Sequence, residues 1–198
     1  LIGLKHINLK QESDKIRQQF GEKDNTPIST KTLSDNKELL QSTDFVHLHN
    51  HTQFSVLQST VAIADLVAAA AKNKMPAVAM TDIGNMMGAF HFVRDVLNHN
   101  KKAEAKNNEA IEAGELPQET IIKPIVGCEF FVCENHLDKS RKDNGYQIVL
   151  LAKNKKGYHN LAKMSSIAYT DGFYYVPRID KQIIQKYKDD IICLTGSL

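Results

Sequence analysis

The chain of 198 residues has no tryptophan, only three cysteines and no marked excess of either charge. Its formal net charge of +2 is too balanced to indicate nucleic-acid or membrane binding over the whole surface. No apolar stretch approaches the length of a membrane span, and no signal-peptide pattern opens the chain. We therefore expect a globular, cytoplasmic protein with no membrane partner.

The cysteines are odd in number and form no CxxC pair, so the sequence predicts no disulfide framework. Each of them, Cys128, Cys133 and Cys193, lies in an apolar run. We interpret them as reduced core residues of an intracellular protein.

The most informative segment present is HLHNHT, which follows the apolar pair Phe45 and Val46. In a strand, successive side chains point to opposite faces, so His47, His49 and His51 would share one face. Three imidazoles in a row could supply most of a first coordination shell for Zn, Fe, Mn or Cu. The alternative is a set of hydrogen-bonded histidines at a strand end.

Apolar runs predict strands at 45–51, 77–81, 125–132, 147–152 and 191–195. Amphipathic segments with helical spacing follow the first, second and fourth of these, and the first helix has Ser59 or Thr60 as a candidate N-cap and Pro76 as its stop. Strands that alternate with helices indicate parallel βα units. Residues 98–120 read as an exposed helical insertion, and 1–44 as a polar linker with short helices near 12–20 and 32–40.

Polar residues at the carboxyl ends of the predicted strands are candidate site residues, because ligands gather there in parallel βα folds. Glu129 lies within the apolar run IVGCEFFV, where it is either a metal ligand or part of a buried ion pair. Asp82 precedes a turn, so it is either an Asx-turn or N-cap residue or a support for the site. Lys153, Lys155 and Lys156 could touch a nucleic-acid phosphate, although such charge runs are usually only solvated.

Five segments together resemble the polymerase and histidinol phosphatase (PHP) domain of bacterial DNA polymerase III alpha subunits, from residue 45 to 198. They are FVHLHNHTQFSVL, MPAVAMTDIGNMMGAFHF, IKPIVGCEFFV, LLAKNKKGYHNLAKMSSIAY and DGFYYVPRID. Residues 1–44 resemble the connector found in the Bacteroidetes-type subunit.

The resemblance implies a distorted, TIM-barrel-like (β/α)7 barrel at 45–198, truncated at its C-terminus, with a metal cleft at the carboxyl ends of its strands. It implies as partners the remaining polymerase domains, DNA bound through the parent chain, and a proofreading subunit or domain. The polymerase palm would lie outside this segment, so the segment alone is expected not to polymerise.

Active members hold up to three metal ions for phosphoester hydrolysis. The resemblance implies that His49, His51 and Glu129 keep three ligand positions here. It also implies that four other positions have lost their ligand, at Gln58, Ile83, Gln147 and Ser197.

Two hypotheses follow from this count. In the first, the domain is a degenerate structural and interaction module that requires no cofactor, or holds one Zn or Mn ion weakly through His49, His51 and Glu129, with help from His47. In the second, it is a metal-dependent phosphoesterase, pyrophosphatase or proofreading hydrolase. The first is favoured because water activation for hydrolysis needs a strongly charged metal centre.

Overall fold

A computed structural model describes residues 45–194, which belong to the compact unit Asp44–Leu198. The predicted linker at 1–44, with its two helices, lies outside the described residues. So does Ser197, one of the four positions at which a ligand is expected to be lost. Within 45–194, no helix combines the length and the apolar character needed to cross a bilayer.

The described chain is a mixed α/β fold with five strands and four helices in the range 45–194. The strands are β1 (Ala77–Met80), β2 (Lys123–Cys133), β3 (Tyr146–Ala152), β4 (Arg178–Asp180) and β5 (Ile191–Leu194). The helices are α1 (Ile63–Lys72), α2 (Ala89–Glu112), α3 (Lys155–Thr170) and α4 (Lys181–Tyr187).

The strands form one sheet in the order β1-β2-β3-β5, with β4 pairing β2. β1 and β4 run parallel to β2, whereas β3 is antiparallel to both β2 and β5. The prediction of parallel βα units therefore holds for the pairs β1–β2 and β2–β4 but not for β3, so the sheet is mixed. β2 and β3 are joined by the loop 134–145, which contains no helix. Parallel neighbours are normally joined by a crossover of a dozen or more residues that includes a helix, so this loop suits an antiparallel pair.

The helices pack on one face of the sheet, where alternate strand residues are apolar. One cluster joins β1 to α1 and α2 through side chains that include Met80, Val67 and Phe92. A second joins β2 and β3 to α3 through Phe130, Leu150 and Leu161. The opposite face carries a smaller cluster, formed by Ala79, Val149 and Leu151.

The predicted helices are present, but two details differ. α1 begins after Ala62, without a side-chain cap, so neither Ser59 nor Thr60 is its N-cap. The Ser59 hydroxyl instead donates to the His51 carbonyl, at 2.9 Å. α2 continues into the predicted insertion as far as Glu112, and its Asn100 and Asn107 side chains hold the following loop by paired hydrogen bonds to Ile122 and Glu119.

Cys128 and Cys133 are buried free thiols, as expected, but Cys193 is exposed. It lies on β5, opposite Leu150, at the end of the strand order. A strand with a neighbour on only one side is less covered than a central strand, so the prediction that Cys193 is a core residue was wrong.

Candidate metal centre

The histidine segment lies beside β1 without forming a regular strand, contrary to the prediction for 45–51. The Ala79 amide donates to the His47 carbonyl at 3.0 Å, and the Thr81 amide donates to the Asn50 carbonyl at 2.8 Å. Between these two hydrogen bonds the histidine segment advances by three residues, whereas the chain at β1 advances by two. One extra residue on one strand is the pattern of a β-bulge. The Asn50 side chain fills the irregularity by donating to the carbonyls of His47 and Ala79.

This irregularity separates His47 from the other two histidines, because it breaks the two-residue alternation. The His47 ring is exposed and packs edge-on against Phe45, with the ring centroids 4.7 Å apart. The Nε2 atoms of His49 and His51 lie 3.1 Å apart. The predicted row of three imidazoles is therefore a pair, and among residues 45–194 the metal-capable group is His49, His51 and Glu129.

Glu129 closes the group from β2. Its Oε2 atom lies 3.0 Å from His49 Nε2 and 2.5 Å from His51 Nε2. The carboxylate is buried, whereas the two imidazoles are partly open to solvent, with side-chain exposures of 46% for His49 and 27% for His51. Both alternatives for Glu129 are thus compatible with its position, since the carboxylate is buried and contacts two imidazoles.

The donor set fits a single divalent cation. Three candidate ligand atoms lie within 4.8 Å of one another. In a tetrahedral zinc shell with ligands about 2.1 Å from the ion, the ligand atoms are about 3.4 Å apart, so only small displacements separate this arrangement from a coordination shell. Two imidazoles and one carboxylate are also a ligand combination found in catalytic zinc sites.

The strand register places two of the positions at which the family resemblance implies a lost ligand. Ile83 forms a parallel bridge with Glu129, and Gln147 pairs with Phe131, two residues further along β2. Paired residues share a sheet face, as do residues two apart, so Ile83 and Gln147 lie on the same face as Glu129. Gln58 is an exposed loop residue.

Asp82 anchors the loop that follows the histidines. Its buried carboxylate accepts hydrogen bonds from the Thr52 amide at 2.6 Å and from the hydroxyls of Thr52 and Ser55, each at 2.7 Å. It does not cap the next helix, because the N-cap of α2 is Gly88. Asp82 therefore connects the end of β1 to Thr52, the residue that directly follows His51, and the sequence analysis did not predict this contact.

The Asp82 contacts predict different losses for two substitutions. In Asp82→Asn the remaining side-chain oxygen can still accept from the Thr52 backbone N–H. The Thr52 hydroxyl can rotate and accept from the new side-chain NH₂ group. We therefore expect the free energy of unfolding to fall by only about 1 kcal/mol. Asp82→Ala leaves all three donors unpaired, and we expect a loss of about 3 kcal/mol. Urea denaturation followed by circular dichroism measures both, and equal losses would contradict this role.

Cys128 adjoins Glu129 in sequence but is not part of the candidate centre. Burial raises the pKa of its thiol well above the ordinary value, and the charges of Asp82 and Glu129 raise it further. The thiolate is the form that binds metals, so the Cys128 thiol stays protonated and is a poor ligand. Its strand position also places it on the helix-covered face, opposite Glu129.

The predicted lysine cluster lies at the start of α3. Lys156 Nζ is 3.3 Å from Asp190 and 3.5 Å from Asp189, and the Asp190 hydrogen bond raises its pKa. Lys153 and Lys155 are exposed and border a groove of about 400 Å³ that includes Phe90 and Tyr158. Nucleic-acid contact through these lysines stays a prediction. The charge of Lys156 is already balanced by Asp189 and Asp190, which leaves Lys153 and Lys155 as the lysines for such a contact.

A second polar cluster, which sequence reasoning missed, surrounds β4. Arg178 is fully buried, and Asp180 accepts hydrogen bonds from His136 Nδ1 at 2.5 Å and from the Ile183 amide at 3.0 Å. Burial raises the pKa of Asp180, but these hydrogen bonds outweigh it and the net shift is downward. The motif VPRID contained the only available signal, a charged pair in a short apolar segment.

Comparison with known proteins gives a consistent family relationship. A family model described as "PHP domain" matches residues 47–198. The DNA polymerase III subunit alpha of Borreliella burgdorferi is 37% identical over 158 residues, covering 78% of this chain and 12% of that protein. The protein of the same name from Aquifex aeolicus is 39% identical over 166 residues, covering 79% of this chain and 12% of that protein. The chain thus spans about a tenth of the length of these relatives.

Proposed function

The chain belongs to the PHP domain family, and from this premise we propose that it is the PHP region of a bacterial replicative DNA polymerase III alpha subunit. The relatives that carry that name support the proposal, since they are 35–39% identical to most of this chain. We further propose the domain boundary at 44/45, the (β/α)7 barrel as the complete architecture, the Bacteroidetes-type connector at 1–44 and a cytoplasmic location. On this proposal its partners are the other polymerase domains, DNA bound through the parent chain, and a proofreading subunit or domain.

Within that subunit, we propose that the region is an interaction module with a reduced metal centre that binds one Zn or Mn ion. The observation that carries this proposal is the convergence of His49, His51 and Glu129 from two separate segments. The apolar side chain of Ile83 beside Glu129 supports the limit of one ion, because hydrocarbon cannot donate to a second metal. A cluster of two or three ions would also need bridging carboxylates, and within residues 45–194 the metal-capable group contains a single carboxylate, that of Glu129.

The metal proposal predicts a single binding event in a calorimetric titration of the 198-residue chain with Zn²⁺ or Mn²⁺. We expect His49→Ala to weaken binding by at least about tenfold, because it removes one of three ligands. His47→Ala is the matched control, since this histidine is close in sequence but contacts the Phe45 ring instead of the carboxylate. Equal effects of the two substitutions, or tight binding of several ions, would contradict the proposal.

A second candidate function, a metal-dependent phosphoesterase, pyrophosphatase or proofreading hydrolase, is favoured by one observation. Three protein ligands are the number that a catalytic zinc site uses, with a further position left for water or substrate. A bound ion there would activate water and polarise a phosphoryl oxygen. The chain itself would hold the ion through the buried Glu129 carboxylate and two partly exposed imidazoles, with Asp82 fixing the adjoining loop. Hydrolysis of bis(p-nitrophenyl) phosphate that disappears in Glu129→Gln would establish this function.

A further inference from the structure

A group of aromatic rings lies on the surface between α3 and β4. Tyr169, Phe173 and Tyr175 have exposed fractions of 44%, 47% and 63%. The rings of Tyr169 and Phe173 stack, with their centroids 6.2 Å apart and their planes 17° from parallel. These three rings and Lys142 are called the aromatic surface below. Three exposed aromatic rings within seven residues are more than packing requires.

Lys142 gives this surface a positive charge. Its Nζ atom lies 5.1 Å from the centroid of the Tyr175 ring, in a cation–π contact. In the part of the chain that the structure describes, no carboxylate forms an ion pair with Lys142, whereas the neighbouring Arg141 is paired with Glu134. The Lys142 charge is therefore available to an anion that approaches the rings.

The backbone at Tyr175 adds an independent observation. Its φ of 64° lies in the left-handed region, which is unfavourable for a residue with a bulky side chain. The Tyr174 ring meets the Tyr175 ring nearly edge-on, and the Tyr174 amide donates to the Val176 carbonyl at 3.2 Å. These contacts hold a strained turn that presents an aromatic ring to solvent, and strain of this kind clusters at functional positions.

The aromatic surface lies on the α3 side of the sheet, where hydrogen bonds connect it to the backbone of Gly84 and Glu129. The Gly84 amide donates to the Glu129 carbonyl at 2.7 Å, and the Ser165 hydroxyl of α3 donates to the Gly84 carbonyl at 2.7 Å. A Cβ atom built on Gly84 would lie 3.7 Å from the Tyr169 hydroxyl. The aromatic surface is thus on the helix-covered side of the sheet, whereas the Glu129 carboxylate is on the opposite face, so a ligand bound to the rings does not need the metal centre.

We propose that the aromatic surface binds single-stranded nucleic acid. Unpaired bases stack on Tyr175 and on the Tyr169–Phe173 pair, and a backbone phosphate lies at Lys142. Any of the bases can stack on an aromatic ring. Proteins that bind single strands without sequence preference usually combine exposed aromatic rings with positively charged side chains that contact the phosphates. A protein partner is less favoured, because an unpaired lysine over a tyrosine ring matches a phosphate better than an apolar interface core.

The test measures fluorescence anisotropy of a labelled twelve-nucleotide oligothymidylate titrated with the 198-residue chain. EDTA is present throughout, so the result does not depend on the metal proposal. We expect measurable binding that Tyr175→Ala and Phe173→Ala each weaken by about fivefold or more, while Tyr175→Phe, which keeps the ring, leaves it unchanged. Lys142→Met should reduce the slope of log affinity against log salt by about 0.7, the value for one phosphate contact on a single strand.

Phe90→Ala tests the competing site, because Phe90 is 72% exposed and lies on α2 beside the Lys153 groove, where nucleic-acid contact is also predicted. The proposal is overturned by any of three results: no binding of the oligonucleotide, equal affinity for a duplex of the same length, or weakening by Phe90→Ala but not by the two aromatic-surface variants. Thermal denaturation of each variant identifies losses that come from unfolding. If Tyr175→Ala does not fold, the Phe173→Ala and Lys142→Met results decide.

Discussion

The combined substitution Gln58→Asp, Ile83→His and Gln147→His is expected to raise the number of bound Zn²⁺ or Mn²⁺ ions from one to about two or more. Ile83 and Gln147 share a sheet face with Glu129, so imidazoles at these positions would flank its carboxylate. Gln58 is exposed on the loop after His51, where a carboxylate costs little to introduce. The three substitutions would supply the donors that a second ion needs, at positions where the family resemblance implies ligands. Elemental analysis of the dialysed protein measures the stoichiometry.

Stability gives a second measurement of the same effect. Ile83 is only 9% exposed, so a histidine there buries a polar ring and should lower the melting temperature of the metal-free variant. An ion that binds only the folded chain reverses the loss, because it draws the equilibrium toward the bound state. We expect added Zn²⁺ to raise the melting temperature of the combined variant more than that of the unchanged chain. A gain of phosphodiester hydrolysis would accompany the second ion.

Tyr146→His is the matched control for this experiment. It introduces the same imidazole one residue before Gln147, and successive strand residues point to opposite faces. Tyr146 is also exposed, so the substitution should not disturb the core. Uptake of an extra ion by Tyr146→His, or no extra ion in a folded combined variant, would show that the changed positions do not limit metal binding.

The metal group illustrates what the sequence could and could not predict. The residues alone left Glu129 either as a metal ligand or as part of a buried ion pair, and the family resemblance placed it with His49 and His51. The three residues do lie together. His47 lies outside this group, contrary to the expectation that strand alternation holds along the whole segment. One extra residue relative to β1 interrupts that alternation, and a bulge of this kind leaves no clear sequence signal.

Apart from the irregular first segment and from β4, the predicted strands agree with the observed ones to within two residues, because buried strands are continuous apolar runs. The direction of β3 was predicted incorrectly, although the sequence contained a sign of it. The loop at 134–145 contains Asn135, Ser140 and Gly145 and no helical repeat, which is typical of an antiparallel connection. β4 was missed because three residues are too few to show a period, and its position is fixed by long-range contacts instead.

Arg178 is the clearest case of a residue whose importance appears only in the structure. Its side chain is fully buried and donates to four backbone carbonyls: Nε to Gly172, Nη1 to Asp143, and Nη2 to His136 and Asp138, at 2.9–3.2 Å. The guanidinium also lies 5.5 Å from the centroid of the Tyr174 ring. One side chain thus holds both the loop after β2 and the turn before β4.

Arg178→Met is therefore expected to lower the free energy of unfolding by about 3–5 kcal/mol, measured by urea denaturation. The substitution keeps much of the apolar stem but removes every donor, and hydrogen bonds to a charged group each contribute about 1.5–3 kcal/mol without being additive. Arg141→Met is the matched control, because the exposed Arg141–Glu134 pair should contribute less than about 1 kcal/mol. Because the Arg178 bonds order the residues on both sides of Lys142 and Tyr175, oligonucleotide binding should fall together with stability. Similar losses for the two arginine variants would mean that the carbonyls find other partners.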